Sequence, residues 1–308
     1  MSKLKEIKNH IYPTVDYATQ KTISYSQYST YKQCPHKWNL QYAQGRYVPS
    51  YSINMTFGTA LHEALQEYLR VMYEESGRAA DDWDIESFFQ EVFTNEYTKQ
   101  YKENSNQHFS SAEEMREFYN DGIEIINWFK NKRGEYFSKR GWHLVGCEIP
   151  LITNVDAHIN LIFKGYIDLI LYHEETEEFY IYDIKTSTRG WTDKEKKDEN
   201  KQNQLILYKH YFAKQFGVDV DKINVEFFIL KRKIYENSDY PQKRIQIFAP
   251  AAGKIKLGKA VKSLEDFIQD CFNGDGSFKQ RDYPKIVSNN CKYCPFYKDK
   301  NLCDRSKK

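Results

Sequence analysis

The chain carries the stretch Gly165-Tyr166-Ile167-Asp168 and, fifteen residues further on, the stretch Asp183-Ile184-Lys185. Both lie in segments rich in Ile, Leu, Val, Phe and Tyr, a composition typical of β-strands. Residues i and i+2 share one face of a strand, so Asp183 and Lys185 are predicted to point the same way while Ile184 packs on the other side. Two carboxylates and an ammonium on adjacent strands suit a hard divalent cation next to a water molecule. The two stretches therefore predict a sheet with a cation site between neighbouring strands.

Around these stretches, the spacing of hydrophobic residues predicts helices first and strands afterwards. An N-cap at Ser26 opens a helix towards Cys34, Pro35 allows another helix to begin, and Gly58-Thr59 precedes an amphipathic helix. The other predicted helices are 84–102, 111–138, 199–216 and 252–272, and the predicted strands are 142–152, 158–172, 178–186, 223–232 and 243–249. This order predicts an α/β fold with a mixed central sheet flanked by helices.

The predicted domain organisation is simple. Residues 1–23 are expected to be a mobile or loosely attached lead-in, and residues 24–308 a single domain. Within that domain, the helices between about 75 and 140 are predicted to be an N-terminal helical insertion, because they interrupt the passage from the first helices to the sheet.

Composition limits the classes of function. The 308 residues include 45 Lys and Arg against 43 Asp and Glu, so a net charge of +2 predicts no general attraction to nucleic acid or anionic membranes. No apolar run approaches the ~18–20 residues that span a bilayer, and the N-terminus does not resemble a secretory signal. The expectation is a cytoplasmic protein without a membrane partner. In that reducing compartment the six cysteines are expected to bind metal or to be buried, not to form disulfides.

Three further polar positions are weak signals when each is taken alone. Gln204 and Tyr208 lie four residues apart on a predicted helix and so share one face. His62 lies beside the apolar stripe of the early amphipathic helix, where a lone histidine is more often structural than a ligand. An isolated Asp-x-Lys is likewise more often a surface ion pair than a catalytic pair.

Taken in order, however, a helix His, Gly-x-x-Asp, Asp-x-Lys and Gln-x-x-x-Tyr resemble the motifs of the PD-(D/E)xK nuclease superfamily, specifically its RecB-like branch. The resemblance implies a restriction-endonuclease-like fold, with Mg²⁺ or Mn²⁺ bound by the histidine and the two acids, a catalytic lysine, and a Gln/Tyr helix that orients DNA. The predicted catalytic residues are Asp168, Asp183, Lys185, Gln204 and Tyr208, and the predicted metal ligands are His62, Asp168, Asp183 and Ile184. Glu148, on the preceding predicted strand, is an additional ligand candidate or a supporting acid.

The cysteines form a second pattern. Cys291-x-x-Cys294 and Cys303 supply three thiolates within thirteen residues, and a fourth would complete a zinc site or an iron–sulfur cluster. Cys147 and Cys271 lie in a predicted strand and a predicted helix and are expected to be buried, whereas Cys34 precedes Pro35 at a helix junction.

This arrangement resembles a subset of RecB-like nucleases, including AddB and the CRISPR-associated adaptation nuclease, which has one cysteine before the nuclease motifs and three after them. The resemblance implies a 4Fe–4S cluster on a cysteine staple, defined as Cys34, Cys291, Cys294 and Cys303, that joins the two ends of the domain. The cluster-binding segment is predicted at about 285–304. Zinc stays the alternative, because thiolates suit both metals.

Two other motifs are weak evidence for a function. The sequence from Gly253 to Ala260 nearly matches a phosphate-binding P-loop, but Ala260 stands where a hydroxyl should reach Mg²⁺, so no nucleotide-driven motor is expected. The basic trio Lys231-Arg232-Lys233 is more typical of a solvated strand end than of a nucleic-acid contact.

By resemblance, the expected function is that of a metal-dependent DNA nuclease that hydrolyses phosphodiester bonds with a metal-activated water. It is expected to be an exonuclease acting on DNA ends or single strands in repair, recombination, CRISPR adaptation or viral genome processing. A helicase or recombination protein is an expected partner, and the cytoplasm of a bacterium or of a virus-infected host the expected location. The alternatives are a noncatalytic iron–sulfur protein of the same fold that binds DNA or organises an assembly, and a redox protein. Polarity of digestion and oligomeric state stay open.

Overall fold

The computed structural model describes residues 2–17, 19–156, 158–235, 240–297 and 299–303. Residues 298 and 304 of the predicted cluster-binding segment, and residues 305–308 of the predicted domain, lie outside the described residues. The helices are α1 Ser2–Lys8, α2 Tyr25–Gln33, α3 Pro35–Trp38, α4 Ile53–Glu74, α5 Gly77–Asp82, α6 Ile85–Glu103, α7 Ala112–Lys132, α8 Asp193–Lys196, α9 Glu199–Phe216 and α10 Lys254–Cys271. The strands are β1 Lys21–Ile23, β2 Trp142–Asp156, β3 Ile159–His173, β4 Glu178–Ser187, β5 Ile223–Lys231 and β6 Ile245–Phe248.

The strands form one six-stranded mixed sheet in the order β1-β3-β4-β5-β6, with β2 paired to β3. β2 and β4 each pair antiparallel with β3, and β6 pairs antiparallel with β5, whereas β1 runs parallel to β3 and β4 runs parallel to β5. The acidic stretch 174–177 forms a tight connection between β3 and β4. The predicted α/β class, with a mixed central sheet flanked by helices, is confirmed.

Two hydrophobic cores lie on opposite faces of the sheet. Phe227 and Ile229 of β5 pack into the first core, which includes buried residues of α2, α9 and α10. The alternate residues Phe228 and Leu230 pack into the second core, which includes buried residues of α4, α6 and α7. Because both faces are covered, the central strands are almost continuously hydrophobic, and for that reason they could be predicted from the sequence.

The predicted insertion of about 75–140 contains α5, α6 and α7, which pack on α4 and cover the second core. Gly122 of α7 lies against the ring of Phe89 on α6, in a space too small for any β-carbon, so these two helices cross closely. The division of the chain into lead-in and domain stays a prediction.

Two local expectations were wrong. Residues 1–23 are not loosely attached, because Leu4 and Ile7 of α1 are buried in the first core and β1 adds a parallel strand to β3. These two contacts could not be predicted from the short polar stretch itself, because they are made with residues far along the chain. The N-cap of α2 is Ser24 and not Ser26, since the Ser24 hydroxyl accepts a 3.3 Å hydrogen bond from the amide of Gln27.

None of the helices in the described part of the chain combines the length and the apolar character that a bilayer crossing requires.

Candidate active site

Strands β3 and β4 are paired over only part of their length, and the pairing ends before Asp168 and Asp183, a point that we call the fork. The two strands are paired from His173 opposite Glu178 to Leu169 opposite Tyr182, and this pairing ends there. Asp168 and Asp183 are the next residues on each strand, so the two predicted acids face each other at the opening. The amide of Ile184 donates a 2.7 Å hydrogen bond to Asp168 Oδ2, which replaces a ladder bond with a side-chain contact.

The strand backbone is irregular at the same level. Ile167 and Ile170 both pack into the first core, whereas Leu169 packs into the second, so the alternation of side chains breaks beside Asp168. Across the ladder Glu148 adopts a left-handed backbone with φ of 53°. Such a conformation in a non-glycine residue costs about 1–3 kcal/mol and occurs often at functional sites. The irregularity directs the carboxylates of Glu148 and Asp168 towards α4.

His62 reaches this point from α4, a 22-residue helix that begins with Ser52 as its side-chain cap. Its Nε2 atom lies 3.3 Å from Asp168 Oδ2 and 3.8 Å from Glu148 Oε1. Burial disfavours the imidazolium form, but the carboxylates of Asp168 and Glu148 outweigh burial and raise the pKa of His62.

Gln66 was missed in the sequence. It lies one helical turn after His62, is only 5% exposed, and donates from Nε2 to Glu148 Oε1 at 2.8 Å and to the carbonyl of Asp168 at 2.7 Å. Both amide hydrogens are thereby used, and the same nitrogen lies 3.1 Å from His62 Nε2, so Gln66 contacts all three members of the group. The i, i+4 spacing from His62 was the available signal.

The other side of the fork is held by α9. Asp183 is 1% exposed, and burial raises its pKa while the ammonium of Lys185 opposes that rise. Lys185 Nζ lies 2.8 Å from Asp183 Oδ2, and Gln204 Nε2 donates a 2.8 Å hydrogen bond to Asp183 Oδ1. Burial disfavours the Lys185 ammonium, but Asp183 and Asp168 raise its pKa overall, so it stays charged.

Tyr208 packs α9 closely against β3. A β-carbon at Gly165 would lie 3.1 Å from Tyr208 Cε1, so any other residue there would push this ring aside by a few tenths of an ångström. Burial raises the pKa of Tyr208 to about 12. Its ring lines a cleft of about 430 Å³ together with Tyr25, His62, Glu148 and Asp168. Tyr25, a second residue missed in the sequence, donates from its hydroxyl to the carbonyl of Asn200.

The donor set fits a divalent cation. One ligand atom from each of His62, Glu148 and Asp168 lies within 4.8 Å of the others. One imidazole nitrogen and two carboxylate oxygens are suitable ligands for Mn²⁺ or Mg²⁺. Asp183 lies outside this group; its buried Oδ2 accepts no well-aligned hydrogen bond from the described residues despite the nearby ammonium of Lys185. Ile184 is buried on the second core, so only its carbonyl could serve as a ligand. The ligand roles of Asp183 and Ile184 therefore stay predictions.

The four cysteines of the staple line one small cavity of about 40 Å³, although Cys34 is far from the others in sequence. Cys34 has an extended backbone between α2 and α3. The nearby His36 forms hydrogen bonds with the C-terminal segment: its amide donates to the carbonyl of Pro284, and its ring nitrogen Nε2 lies 2.8 Å from the carbonyl of Leu302. No three of the four sulfurs, all within described residues, lie within 4.8 Å of one another.

The remaining two cysteines lie elsewhere. Cys147 lies in β2 with its sulfur 3.8 Å from the carbonyl of Gln66, and burial raises its pKa to about 12. Cys271 ends α10, is fully buried in the first core, and also has a pKa raised by burial. Both resemble structural thiols and not ligands.

The basic trio is neutralised locally. Arg232 Nη1 lies 2.7 Å from Asp121 and 3.0 Å from Glu117, and Lys233 Nζ lies 2.9 Å from each of the same two acids. Two of the three charges therefore hold α7 against the end of β5, in ion pairs that are more buried than the predicted solvated strand end.

Comparison with known proteins agrees with this geometry. The family model of the PD-(D/E)XK nuclease superfamily matches residues 22–303. The chain therefore belongs to the PD-(D/E)XK nuclease superfamily. Among solved structures, a protein from Eubacterium rectale described as a candidate exonuclease is similar, at 12% sequence identity and a TM-score of 0.49, with 92% of this chain and 94% of that chain covered. No curated protein matches the chain.

Proposed function

We propose that this chain is a metal-dependent DNA nuclease of the RecB-like branch, acting as an exonuclease on DNA ends or single strands. The observation that carries the proposal is the fork, where Asp168 and Asp183 face each other with Lys185 on one side and His62 on the other. Membership of the nuclease superfamily supports the reaction class, phosphodiester hydrolysis.

His62, Glu148 and Asp168 would hold the cation, with Asp183 as the further ligand. A bound Mg²⁺ or Mn²⁺ would lower the pKa of a bound water and place positive charge near the phosphate. Gln66 fixes Glu148 and the backbone of Asp168, so the donors keep their directions in the absence of substrate.

Lys185 is the proposed catalytic side chain, and its ammonium provides a positive charge in addition to that of the metal. Its ammonium is held by Asp183, whose other oxygen is held by Gln204, so the lysine is directed before the substrate arrives. In that position it orients a water or stabilises negative charge that develops on the phosphate. Tyr208 and Gln204 support the substrate from α9.

We also propose that the cysteine staple binds a 4Fe–4S cluster with a structural role. The four cysteines line one cavity, which supports a shared metal group, and the resemblance favours a 4Fe–4S cluster over zinc. The partners then proposed are DNA and a helicase or recombination protein, and the proposed location is the cytoplasm.

The test is cleavage of end-labelled single-stranded and duplex DNA with Mg²⁺ or Mn²⁺, beside EDTA and the variant Lys185→Ala. Loss of one preorganised charged donor is expected to lower kcat by about 10²–10³-fold. Substrates labelled at the 5′ and 3′ ends give the polarity and separate exonuclease from endonuclease products.

The matched control is Lys256→Ala, which removes a lysine that pairs with Glu199 at 2.7 Å on the surface. It should cleave like the unmodified protein. Unchanged cleavage by Lys185→Ala would mean a contaminant or a wrongly assigned site, and DNA binding without metal-dependent cleavage by the unmodified protein would favour the noncatalytic alternative.

A further inference from the structure

A strip of two exposed tyrosines and a lysine borders the catalytic cleft. Lys164 and Tyr166 precede Asp168 on β3 and line the same cleft of about 430 Å³. Tyr166 is 45% exposed and Tyr17 is 57% exposed, so neither ring contributes fully to a core. We name Tyr17, Lys164 and Tyr166 the β3 strip.

Lys164 is the centre of the strip. Its ammonium donates to the hydroxyl of Tyr17 and lies 5.0 Å from the centre of that ring and 5.8 Å from the centre of the Tyr166 ring. These described partners are neutral, so the positive charge is not cancelled, in contrast to the charges of Arg232 and Lys233, which follow β5 and pair with Asp121. The strip therefore combines a usable cation with solvent-facing aromatic rings, the two features that bind single-stranded nucleic acid.

The spacing fits a strand that ends at the fork. With a rise of about 3.3 Å per residue, Tyr166 lies about 7 Å and Lys164 about 13 Å along β3 from Asp168. These steps are comparable to one and two nucleotides of an extended DNA strand. A phosphate at the fork would thus place the neighbouring base at Tyr166 and a following phosphate at Lys164.

We propose that the β3 strip is the specificity determinant of the site: the ring of Tyr166 stacks on one unpaired base next to the reacting phosphate, and Lys164, held by Tyr17, binds the following phosphate. This inference rests on the nuclease function proposed above. It selects an unpaired strand because a duplex covers both faces of its internal bases, so that the ring of Tyr166 could not stack on them.

The first test measures binding without cleavage. In EDTA, fluorescence anisotropy of a labelled unpaired oligonucleotide is compared for Tyr166→Ala, Tyr166→Phe and the unmodified protein. Stacking of one base predicts affinity on the order of tenfold lower for the alanine variant, while the phenylalanine variant keeps the unmodified affinity. Equal affinity of the alanine variant would overturn the proposal.

The second test identifies the stacked base. Abasic residues are placed one at a time near the labelled end of an unpaired substrate, and kcat/KM is measured with Mn²⁺. One position is expected to lower kcat/KM about tenfold for the unmodified protein and not at all for Tyr166→Ala, since base and ring form one contact. Additive losses would show that the ring and the base do not interact, and an equal loss on blunt duplexes would contradict selection for unpaired strands.

The lysine has its own measurement. Lys164→Gln should reduce the slope of log affinity against log salt by about one, and Lys164→Arg should restore it. An unchanged slope would remove Lys164 from the proposal.

Ile255→Ala, at an exposed apolar position on α10 away from the cleft, is the control for loss of exposed apolar surface and should behave like the unmodified protein. Melting temperatures should be similar for all strip variants because neither Tyr166 nor Lys164 belongs to a buried core.

The outcomes separate the two proposals. If the protein cleaves no DNA but Tyr166→Ala still weakens binding of unpaired DNA, the nuclease proposal fails and the strip stands. If cleavage depends on Lys185 while Tyr166→Ala behaves like the unmodified protein, the strip fails and the nuclease proposal stands.

Discussion

The catalytic fork and the cysteine staple are both assembled from distant parts of the chain, but they are built differently. The fork takes its side chains from long regular elements, α4, β2, β3, β4 and α9, and almost every polar group is held by another. The staple takes its cysteines from the junction between α2 and α3 and from short turns near the C-terminus. His36 connects these two segments through hydrogen bonds of its amide and its ring.

The comparison separates two ways of making a site. At the fork, the sheet and helices determine the geometry before any cation binds, which is what a catalytic centre requires. At the staple, the segments contain little regular structure, so a bound metal group would itself supply much of the stability that joins them. Removing a staple cysteine should therefore affect stability, while removing a fork residue should affect chemistry.

The largest expected effect follows from opening the staple. Cys34 and Cys291 are 257 residues apart, and the chain-entropy formula for a cross-link gives up to about 5 kcal/mol for a loop of that size. Cys294→Ala should therefore lower the melting temperature and the soluble yield far more than Asp168→Ala does. Thermal melts of both variants, with iron and zinc analysis of anaerobically purified protein, give the measurement.

Cys147→Ala is the matched control, because Cys147 is a half-buried thiol outside the staple cavity. It should keep the metal content of the unmodified protein. Equal melting temperatures for Cys294→Ala and Asp168→Ala would contradict a structural staple, and stoichiometric zinc without iron would exclude the cluster.

A smaller effect is expected from Gln66→Leu, which removes the donor shared by Glu148 and the carbonyl of Asp168. Leaving these acceptors unpaired should cost about 1–3 kcal/mol of stability. Loss of this support should also weaken Mn²⁺ binding by about 10–100-fold, as measured by titration calorimetry.

Gln100→Leu provides the comparison, since Gln100 is an equally buried glutamine on α6, away from the fork. It should keep the affinity of the unmodified protein for Mn²⁺. If the two variants bind Mn²⁺ alike, Gln66 has only a structural role.

The smallest effect concerns pH. Because carboxylates raise the pKa of His62 against the opposing effect of burial, its contribution to the stability of the metal-free protein is complete below the unfolded pKa of about 6.5. That contribution is lost as pH rises through the raised folded-state pKa. The melting temperature of the unmodified protein should thus exceed that of His62→Asn by more in acid than in alkali. Melts in EDTA at several pH values test this, and a difference independent of pH would count against the Asp168 and Glu148 contacts.

The sequence indicated the fold well where periodicity is strong. The helix predicted at 199–216 has those bounds, and the central strands agree within a few residues, because strands covered on both faces are continuously hydrophobic. The sequence did not predict α1 and β1, which are short and polar. β1 is positioned by pairing with β3, and α1 by burial of Leu4 and Ile7 in the first core, and local composition does not predict such long-range contacts.

At the site, the sequence alone determined which groups are chemically available: two acids and a lysine at strand spacing, a helix histidine, and four cysteines near the two ends. Only the tertiary structure decided that the pairing of β3 and β4 ends at Leu169 and Tyr182, so that Asp168 and Asp183 lie beyond it. It also decided that the left-handed Glu148 joins His62 and Asp168, and that Gln66 contacts all three. The physical reason is that local propensity depends on neighbours in the chain, whereas convergence depends on strand register and helix packing, which are set by burial between residues far apart in sequence.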